Sequence, residues 1–194
     1  MGMVRLLLVI GVLGAVLCGC APQSHLEPIR VGASVDPQMQ MAAALYRGAL
    51  RAQGMAVTEP IRIAGERAQL DAMSADDVDL FPSTVPVLLA AVLPADRLAA
   101  ETAAGGEPTE FGDAAYTLLS RSLPAGAAVG DPLSGEQVVP VYRALRFGRR
   151  DIKALNKVAG ELTLPDLAAL TVQWQAGKTQ AVLVSDWLSQ HGLA

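Results

Sequence analysis

Short apolar strands alternate with amphipathic helices along the first half of the chain, and this alternation limits the fold more than any other feature. Strands are predicted over residues 29–32, 60–63 and 78–81, the last of them ended by Pro82. Helices are predicted over residues 38–53, 66–73 and 85–93. Helices that connect successive strands are typical of strands that run parallel in one sheet. The sequence therefore predicts an α/β fold with a mostly parallel sheet flanked by helices.

The second half of the chain is irregular at first and helical at its end. Glycine, proline, alanine and short polar residues dominate from residue 99 to residue 137, with one predicted strand over residues 116–121 and another over 138–142. Helices are predicted over residues 151–158, 166–176 and 180–190. Thr163 and Asp166 have the spacing of a capping box, which predicts that a helix begins there.

The amino terminus has the layout of a cleavable export signal. Arg5 precedes an apolar run over residues 6–17, which is shorter than the ~20 residues that span a bilayer as a helix. The following Leu-Cys-Gly-Cys resembles the bacterial lipobox, in which Cys20 with Gly19 before it fits the lipidated cysteine better than Cys18 does. An ordinary secretory signal with incidental cysteines is the alternative. The predicted layout is a signal peptide over 1–19, a lipidated Cys20 and tether over 20–28, and a domain over 29–194.

Cleavage before Cys20 changes what the chain can use for folding and binding. The mature chain loses 19 of 194 residues, and Arg5 is the one charge among them, so 14 basic and 19 acidic residues remain. No thiol is left for a disulfide, because Cys18 departs and the Cys20 sulfur carries lipid. The mildly acidic balance argues against a nucleic-acid partner. The predicted location is the extracytoplasmic side of a bacterial envelope membrane, since two or three acyl chains suffice for stable anchoring.

Motifs of catalysis and metal binding are absent from the sequence. There is no glycine-rich phosphate loop and no nucleophile elbow, and neither His25 nor His191 has further ligands at metal-binding spacing. We therefore expect no enzyme, no catalytic residue, no metal and no cofactor. The acidic cluster of Asp76, Asp77 and Asp79 is interpreted as a solvated turn, with a cation site as the alternative. The pair at 149–150, two arginines at a helix start, is interpreted as solvated rather than as a ligand clamp.

Several segments resemble the glycine betaine/choline (osmoprotectant) substrate-binding proteins of ABC transporters, which are type 2 periplasmic binding proteins. The resemblance is carried by IRVGAS at 29–34, DLFP at 79–82, FGDAAY at 111–116, VPVY at 139–142, ALNKVAGELT at 154–163, DL at 166–167 and the segment 187–193. It is most specific in the carboxyl-terminal segments and covers most of the chain from residue 29 to residue 193. The family's Glu and Tyr in the stretch that lines its cleft correspond here to Ser83 and Thr84.

The resemblance implies a single lobe of a two-lobed binding protein. Such proteins bury a ligand between two lobes, whereas residues 121–138 leave room here for only a loop, so an open shelf is expected. The implied ligand is a small quaternary ammonium compound, which aromatic faces hold at ~0.5–2 kcal/mol each. The residues implied to bind it are Ser34, Phe81, Ser83, Thr84, Tyr116 and Tyr142. For the three aromatic residues, packing in the core is the alternative.

The resemblance and the missing lobe together lead to two functional hypotheses. The first is a lipid-anchored, extracytoplasmic substrate-binding-like protein of an osmoprotectant ABC transporter, with an ABC permease as partner and with weak or lost ligand binding. The second is a degenerate cell-envelope lipoprotein that uses the exposed shelf to meet a partner protein. A concave pocket lined by Ser34, Phe81 and Tyr116 would favour the ligand, and an exposed apolar patch on the shelf would favour the partner.

Overall fold

The computed structural model describes residues 27–97, 111–131 and 137–194. The predicted signal peptide, Cys20 and most of the tether lie outside these residues, so the predicted lipidation site and the proposed boundaries there stay predictions. Much of the irregular stretch 99–137 also lies outside them.

The strands form a small parallel sheet and a small antiparallel sheet that meet at one bridge. Strand β1 (Gly32–Ala33) pairs in parallel with β2 (Ile61–Arg62). Strand β3 (Leu80–Thr84), β4 (Ala127–Val129) and β5 (Val138–Arg143) form an antiparallel sheet in the order β3-β5-β4. A parallel bridge between Val31 and Leu80 joins the two sheets, so β1, β2 and β3 run in the same direction.

Seven helices whose bounds lie in the described part of the chain cover the strands, and residues 95–97 are helical as well. They are α1 (Pro37–Ala52), α2 (Glu66–Ser74), α3 (Val85–Val92), α4 (Phe111–Ser122), α5 (Arg149–Glu161), α6 (Leu164–Gln175) and α7 (Gln180–Gln190). A single 3-10 turn, Ala144–Arg146, links β5 to α5. The predicted cap at Thr163 is confirmed, because its hydroxyl accepts a hydrogen bond from the Asp166 N–H at 3.2 Å.

The core has two parts, one on each side of the strands. Helices α1, α5, α6 and α7 contribute buried residues such as Leu45, Leu155 and Leu167 to one part, and α2, α3 and α4 contribute Leu70, Leu88 and others to the second. Helices on both faces of central strands are the layered arrangement of an α/β domain. The predicted α/β class is therefore confirmed, while the assignment to a type 2 binding-protein lobe stays a prediction.

The prediction of a mostly parallel sheet is wrong. Strand β5 runs antiparallel to both β3 and β4, and the parallel pairs among the described residues are β1–β2 and the single bridges Ile29–Val57 and Val31–Leu80. Residues 127–129 form β4 within the stretch that was expected to be only a loop. Strand direction depends on partners that are distant in sequence, so the local alternation of strands and helices did not reveal it.

Pro82 does not end β3, which continues to Thr84. Pro82 lies opposite Pro140 in the antiparallel ladder, and the Arg143 N–H bonds the Asp79 carbonyl in the same ladder at 2.9 Å. Hydrogen-bonded and non-hydrogen-bonded pairs alternate, so the two prolines occupy a non-hydrogen-bonded position of the β3–β5 ladder, where neither N–H is needed between these strands. On its other side Pro140 accepts a hydrogen bond from the Gly130 N–H at 2.8 Å but can return none, and β4 ends at Val129.

The predicted strand over residues 116–121 is also wrong, because these residues belong to α4. Ala115 and Leu119 are buried four residues apart, which is helical spacing. The short apolar run Tyr116–Leu119 fits both a strand and a helix, and its packing against α3 decides for the helix.

Candidate functional site

The carboxyl ends of β1, β2 and β3 lie at one edge of the sheet, which we call the carboxyl edge. Helices α1, α2 and α3 each begin there, directly after the strand that precedes them. Gly65 caps α2 with φ at 82°, a conformation that favours glycine, and provides no side chain. Thr84 precedes α3 and makes no side-chain cap. The N–H groups and positive dipole ends of α2 and α3 therefore favour negative charge at this edge.

The start of α1 is closed by its own loop. The Ser34 hydroxyl accepts a hydrogen bond from the Asp36 N–H at 3.2 Å, and Asp36 Oδ1 accepts one from the Gln38 N–H at 2.7 Å. Gln40 Nε2 donates to the Val35 carbonyl at 2.9 Å. Ser34 is thus 7% exposed and used in the turn, whereas the Val35 side chain is 63% exposed.

Two buried polar side chains at the carboxyl edge have no hydrogen-bond partner among the described residues. They are Gln69, in the first part of α2, and Ser83, at the end of β3, and they are 0% and 1% exposed. A Cβ added to Gly32 would lie 3.4 Å from Gln69 Oε1 and 3.5 Å from Phe81 Cβ, so the Gln69 amide is packed against β1. Buried polar groups without partners cost about 1–3 kcal/mol each and require an explanation.

The aromatic residues predicted to bind a ligand do not converge at this edge. Phe81 is wholly buried and belongs to the core beneath α2, α3 and α4, together with the partly buried Tyr116. Tyr142 pairs with Leu80 across the β3–β5 ladder, and both side chains lie on the face of the sheet opposite to that of Phe81. The Tyr142 and Phe147 rings pack edge to face, with their centroids 5.6 Å apart. Ser34, Ser83 and Thr84 do share the carboxyl edge. The binding role of all six residues stays a prediction.

The two tyrosines are held by packing and by their surroundings. The Tyr116 hydroxyl donates a hydrogen bond to the Val129 carbonyl at 3.3 Å. Burial, followed by the negative charge of Asp131, raises the pKa of both Tyr116 and Tyr142 above the ordinary tyrosine value. Both hydroxyls therefore stay neutral at physiological pH.

The opposite end of the strands, which we call the amino edge, carries a buried ion cluster around Asp79. Arg30 Nε lies 3.1 Å from Asp79 Oδ2, and its Nη2 lies 3.2 Å from Oδ1. Arg143 Nη1 and Arg146 Nε lie 3.1 Å and 3.2 Å from Oδ1. The Asp79 side chain is wholly buried. The interpretation of Asp79 as part of a solvated turn is therefore wrong, because three guanidinium groups replace its water.

The arginines control the ionisation of Asp79. Burial by itself raises the pKa of the carboxyl, but the hydrogen bonds from Arg30 and the charge of Arg146 outweigh it. The pKa of Asp79 therefore lies below its ordinary value. The hydrogen bond to Asp79 also raises the pKa of Arg30.

The two neighbouring aspartates stay at the surface, as predicted. Asp76 lies in the turn after α2 with φ at 66°, and its carboxylate lies 2.7 Å from Arg143 Nη2. Asp77 is exposed. The signal that could have predicted the Asp79 cluster is the occurrence of Arg30 and Asp79 in two apolar strands, since buried charges require partners of opposite sign.

Three cavities lined by described residues lie elsewhere. A groove of about 740 Å³ runs between α3 and α4, one of about 450 Å³ lies between α1 and α7, and one of about 220 Å³ lies beside Leu145. None of these three is lined by Ser34, Ser83 or Thr84. Within residues 27–97, 111–131 and 137–194, no group of His, Cys, Asp or Glu is arranged to hold a metal ion. None of the helices described there has the length and hydropathy needed to cross a bilayer.

No family model matches the chain, and no curated protein sequence matches it.

Proposed function

We propose that the chain is a lipid-anchored, extracytoplasmic binding protein built like one lobe of an osmoprotectant-binding protein, with weak or lost ligand binding. The observation that carries the proposal is the carboxyl edge, where α2 and α3 start without side-chain caps and the buried Gln69 and Ser83 have no hydrogen-bond partner among the described residues. The sequence segments at 139–142 and 154–163 support the same relationship. The permease of an ABC transporter is the corresponding partner.

Weak binding follows from the chemistry that the carboxyl edge provides. Helix N-termini suit a carboxylate, so the edge can attract the anionic end of a zwitterion such as glycine betaine. The quaternary ammonium end needs an open aromatic face, but Phe81 is wholly buried and Tyr142 is 7% exposed on the other side of the sheet. An open shelf also leaves most of the ligand in water. Glycine betaine should therefore bind better than choline, which has no carboxylate.

Calorimetry on the mature lipoprotein in detergent tests this binding proposal. The expected Kd for glycine betaine is about 1 mM or weaker, equivalent to ~4 kcal/mol, with choline weaker still. Ser83→Ala should change glycine betaine binding, while Ser120→Ala on exposed α4 surface serves as the control. Micromolar binding by the monomer would contradict weak binding. Micromolar binding that depends on dimerisation would instead show that a second copy of the chain provides the side of the cleft that the absent lobe would form.

Lipid anchoring is tested separately by substitutions at the two cysteines. Cys20→Ser should abolish acylation and release or mis-process the protein, while Cys18→Ser should leave it in the membrane fraction. Mass spectrometry of the mature amino terminus measures the acyl chains directly. A Cys20→Ser protein that still carries acyl chains would contradict the assignment of Cys20.

A second function, contact with a partner protein through the carboxyl edge, is favoured by its exposed apolar residues. Val35 and Val87 stand beside the starts of α1 and α3 and are 63% and 45% exposed. A photo-crosslinking residue placed at either position should capture an envelope protein in cells. The same residue at Val172, which is 63% exposed on α6, should not. Equal crosslinking from all three positions would contradict a specific surface.

A further inference from the structure

A basic patch with one exposed leucine follows β5. It consists of Arg143, Leu145, Arg146, Arg149 and Arg150, four arginines within eight residues. Leu145 is 96% exposed, the most exposed of the large apolar side chains in the described residues. A single exposed leucine is ordinary on a protein surface, but guanidinium groups flank this one on both sides along the chain. An exposed apolar side chain with cationic residues beside it along the chain matches the interface of an anionic bilayer.

The charges around the patch leave it positive. Arg30 joins it through Asp79, and the carboxylates in contact with these five arginines are Asp76 and Asp79. The charge of Glu27 acts on Arg30, and the Asp151 carboxylate accepts a hydrogen bond from the Gly148 N–H. Asp79 is buried, so its charge is already shared among three of them. Arg149 and Arg150 are exposed, and in the part of the chain described here Arg149 has no acidic partner. The patch therefore has the opposite sign to the acidic mature chain.

The patch also lies beside the chain that leads to the predicted anchor. Arg146 Nη2 donates a hydrogen bond to the Glu27 carbonyl at 2.7 Å. Glu27 is seven positions after Cys20, and a fully extended chain spans at most ~3.3–3.6 Å per residue, so the reach is about 25 Å. If Cys20 is anchored in the bilayer, Glu27 lies within about 25 Å of the membrane surface, and the basic patch lies beside Glu27.

We infer that the basic patch docks on the anionic phospholipid surface of the membrane, with Leu145 entering the headgroup region and the exposed Arg149 and Arg150 binding phosphate. This inference rests on the proposed lipid anchoring at Cys20. Guanidinium groups bind phosphate through two parallel hydrogen bonds, which a lysine cannot reproduce. Acyl chains combined with basic residues are a recognised pair of membrane signals, and the tether makes the second signal effectively intramolecular.

A single-cysteine probe in the acylated chain tests the docking. In Leu145→Cys the new thiol is the one available for labelling, since Cys18 leaves with the signal peptide and the Cys20 sulfur is acylated. The labelled protein is placed in vesicles of phosphatidylcholine alone or with 30% phosphatidylglycerol. An environment-sensitive fluorophore at 145 should shift to shorter wavelength only in the anionic vesicles. The same label on Val172→Cys should not shift.

Changes in salt concentration and substitutions of arginines identify the source of the fluorescence shift. Raising NaCl from 0.05 M to 0.5 M should diminish it, because salt screens exposed charges. Replacing both arginines at 149–150 with Gln should diminish it too, while Arg67→Gln and Arg121→Gln, on α2 and α4, should not. If the fluorescence of the probe at position 145 does not shift although the chain is acylated, the docking proposal is wrong and the anchoring proposal is unaffected. Label uptake by the wild-type chain would instead show a free Cys20 thiol, which overturns the proposed anchoring and the docking with it.

Discussion

The two edges of the sheet treat buried polar groups in opposite ways. At the amino edge, the wholly buried Asp79 carboxylate accepts hydrogen bonds from Arg30 and Arg143. Arg146 Nε lies 3.2 Å from the same carboxylate at ion-pair distance, without a hydrogen bond among the described residues. At the carboxyl edge, the equally buried Gln69 and Ser83 have no hydrogen-bond partner among the described residues. The amino edge thus compensates its buried charge, whereas the carboxyl edge leaves two neutral polar side chains uncompensated, at a cost in stability. Natural proteins retain such costs where a function depends on them.

The same physics predicts opposite effects of mutation at the two edges. A partner removed from a buried ion cluster leaves an uncompensated charge, which destabilises the folded state strongly. A polar group without partners can be replaced by an apolar group of similar shape with no loss, and often with a gain. Urea unfolding of matched variants measures both effects on one scale.

The largest expected effect comes from Asp79→Asn. The substitution removes the negative charge beneath Arg30, Arg143 and Arg146, and it should lower the free energy of unfolding by about 3–5 kcal/mol. Asp77→Asn, two residues earlier and exposed, should change it by no more than ~0.5 kcal/mol. Equal effects of the two substitutions would mean that the Asp79 cluster contributes nothing in solution.

The pH dependence of stability should come from the amino edge. The pKa of Asp79 is lower in the folded protein than in the unfolded chain, where aspartate titrates near ~4. Its stabilising contribution is therefore complete above pH ~4 and is lost as the pH falls through the folded-state pKa. Unfolding free energies measured from pH 7 down to pH 2 should fall less steeply for Asp79→Asn than for the wild type. Parallel curves would contradict this assignment.

A smaller effect of opposite sign is expected for Gln69→Met. The two side chains have similar volume, and the change removes a buried amide that has no partner in the part of the chain that the structure describes, so stability should rise by about 1–3 kcal/mol. Gln175→Met, at the exposed end of α6, provides the control and should stay within ~0.5 kcal/mol of the wild type. A loss of stability in Gln69→Met would show that the amide has a partner in solution, which would end the contrast between the edges.

The smallest expected effect is that of Ser83→Ala. Removal of the buried hydroxyl should raise stability by ~1 kcal/mol or less, since the hydroxyl is smaller than the Gln69 amide and leaves a smaller gap. Ser122→Ala should instead lower stability slightly, because that hydroxyl donates to the Leu118 carbonyl at 2.8 Å. Thermal unfolding distinguishes the two signs. A loss of stability in both variants would show that the Ser83 hydroxyl makes a hydrogen bond in solution.

Much of the helical structure could be predicted because its signals are local. The predicted helix over 180–190 coincides with α7, and the capping spacing at Thr163 correctly places the start of α6. The prediction of a strand over 116–121 failed, because a few apolar residues fit the periodicity of a strand and that of a helix equally well. For the candidate site, Ser34, Ser83 and Thr84, three of the residues predicted from the sequence, do lie at one edge of the sheet. The sequence did not predict that Phe81 is buried beneath α2 and α3.

Composition and local spacing therefore determined the α/β class, most helix boundaries and the predicted leader with its cysteine. Only the tertiary structure decided that β5 runs antiparallel to β3, that Tyr142 and Phe81 face opposite sides, and that Asp79 meets three arginines. The physical reason is separation along the chain. Asp79 and Arg143 are 64 residues apart, so no local preference connects them, and only the pairing of β3 with β5 brings the carboxylate and the guanidinium together.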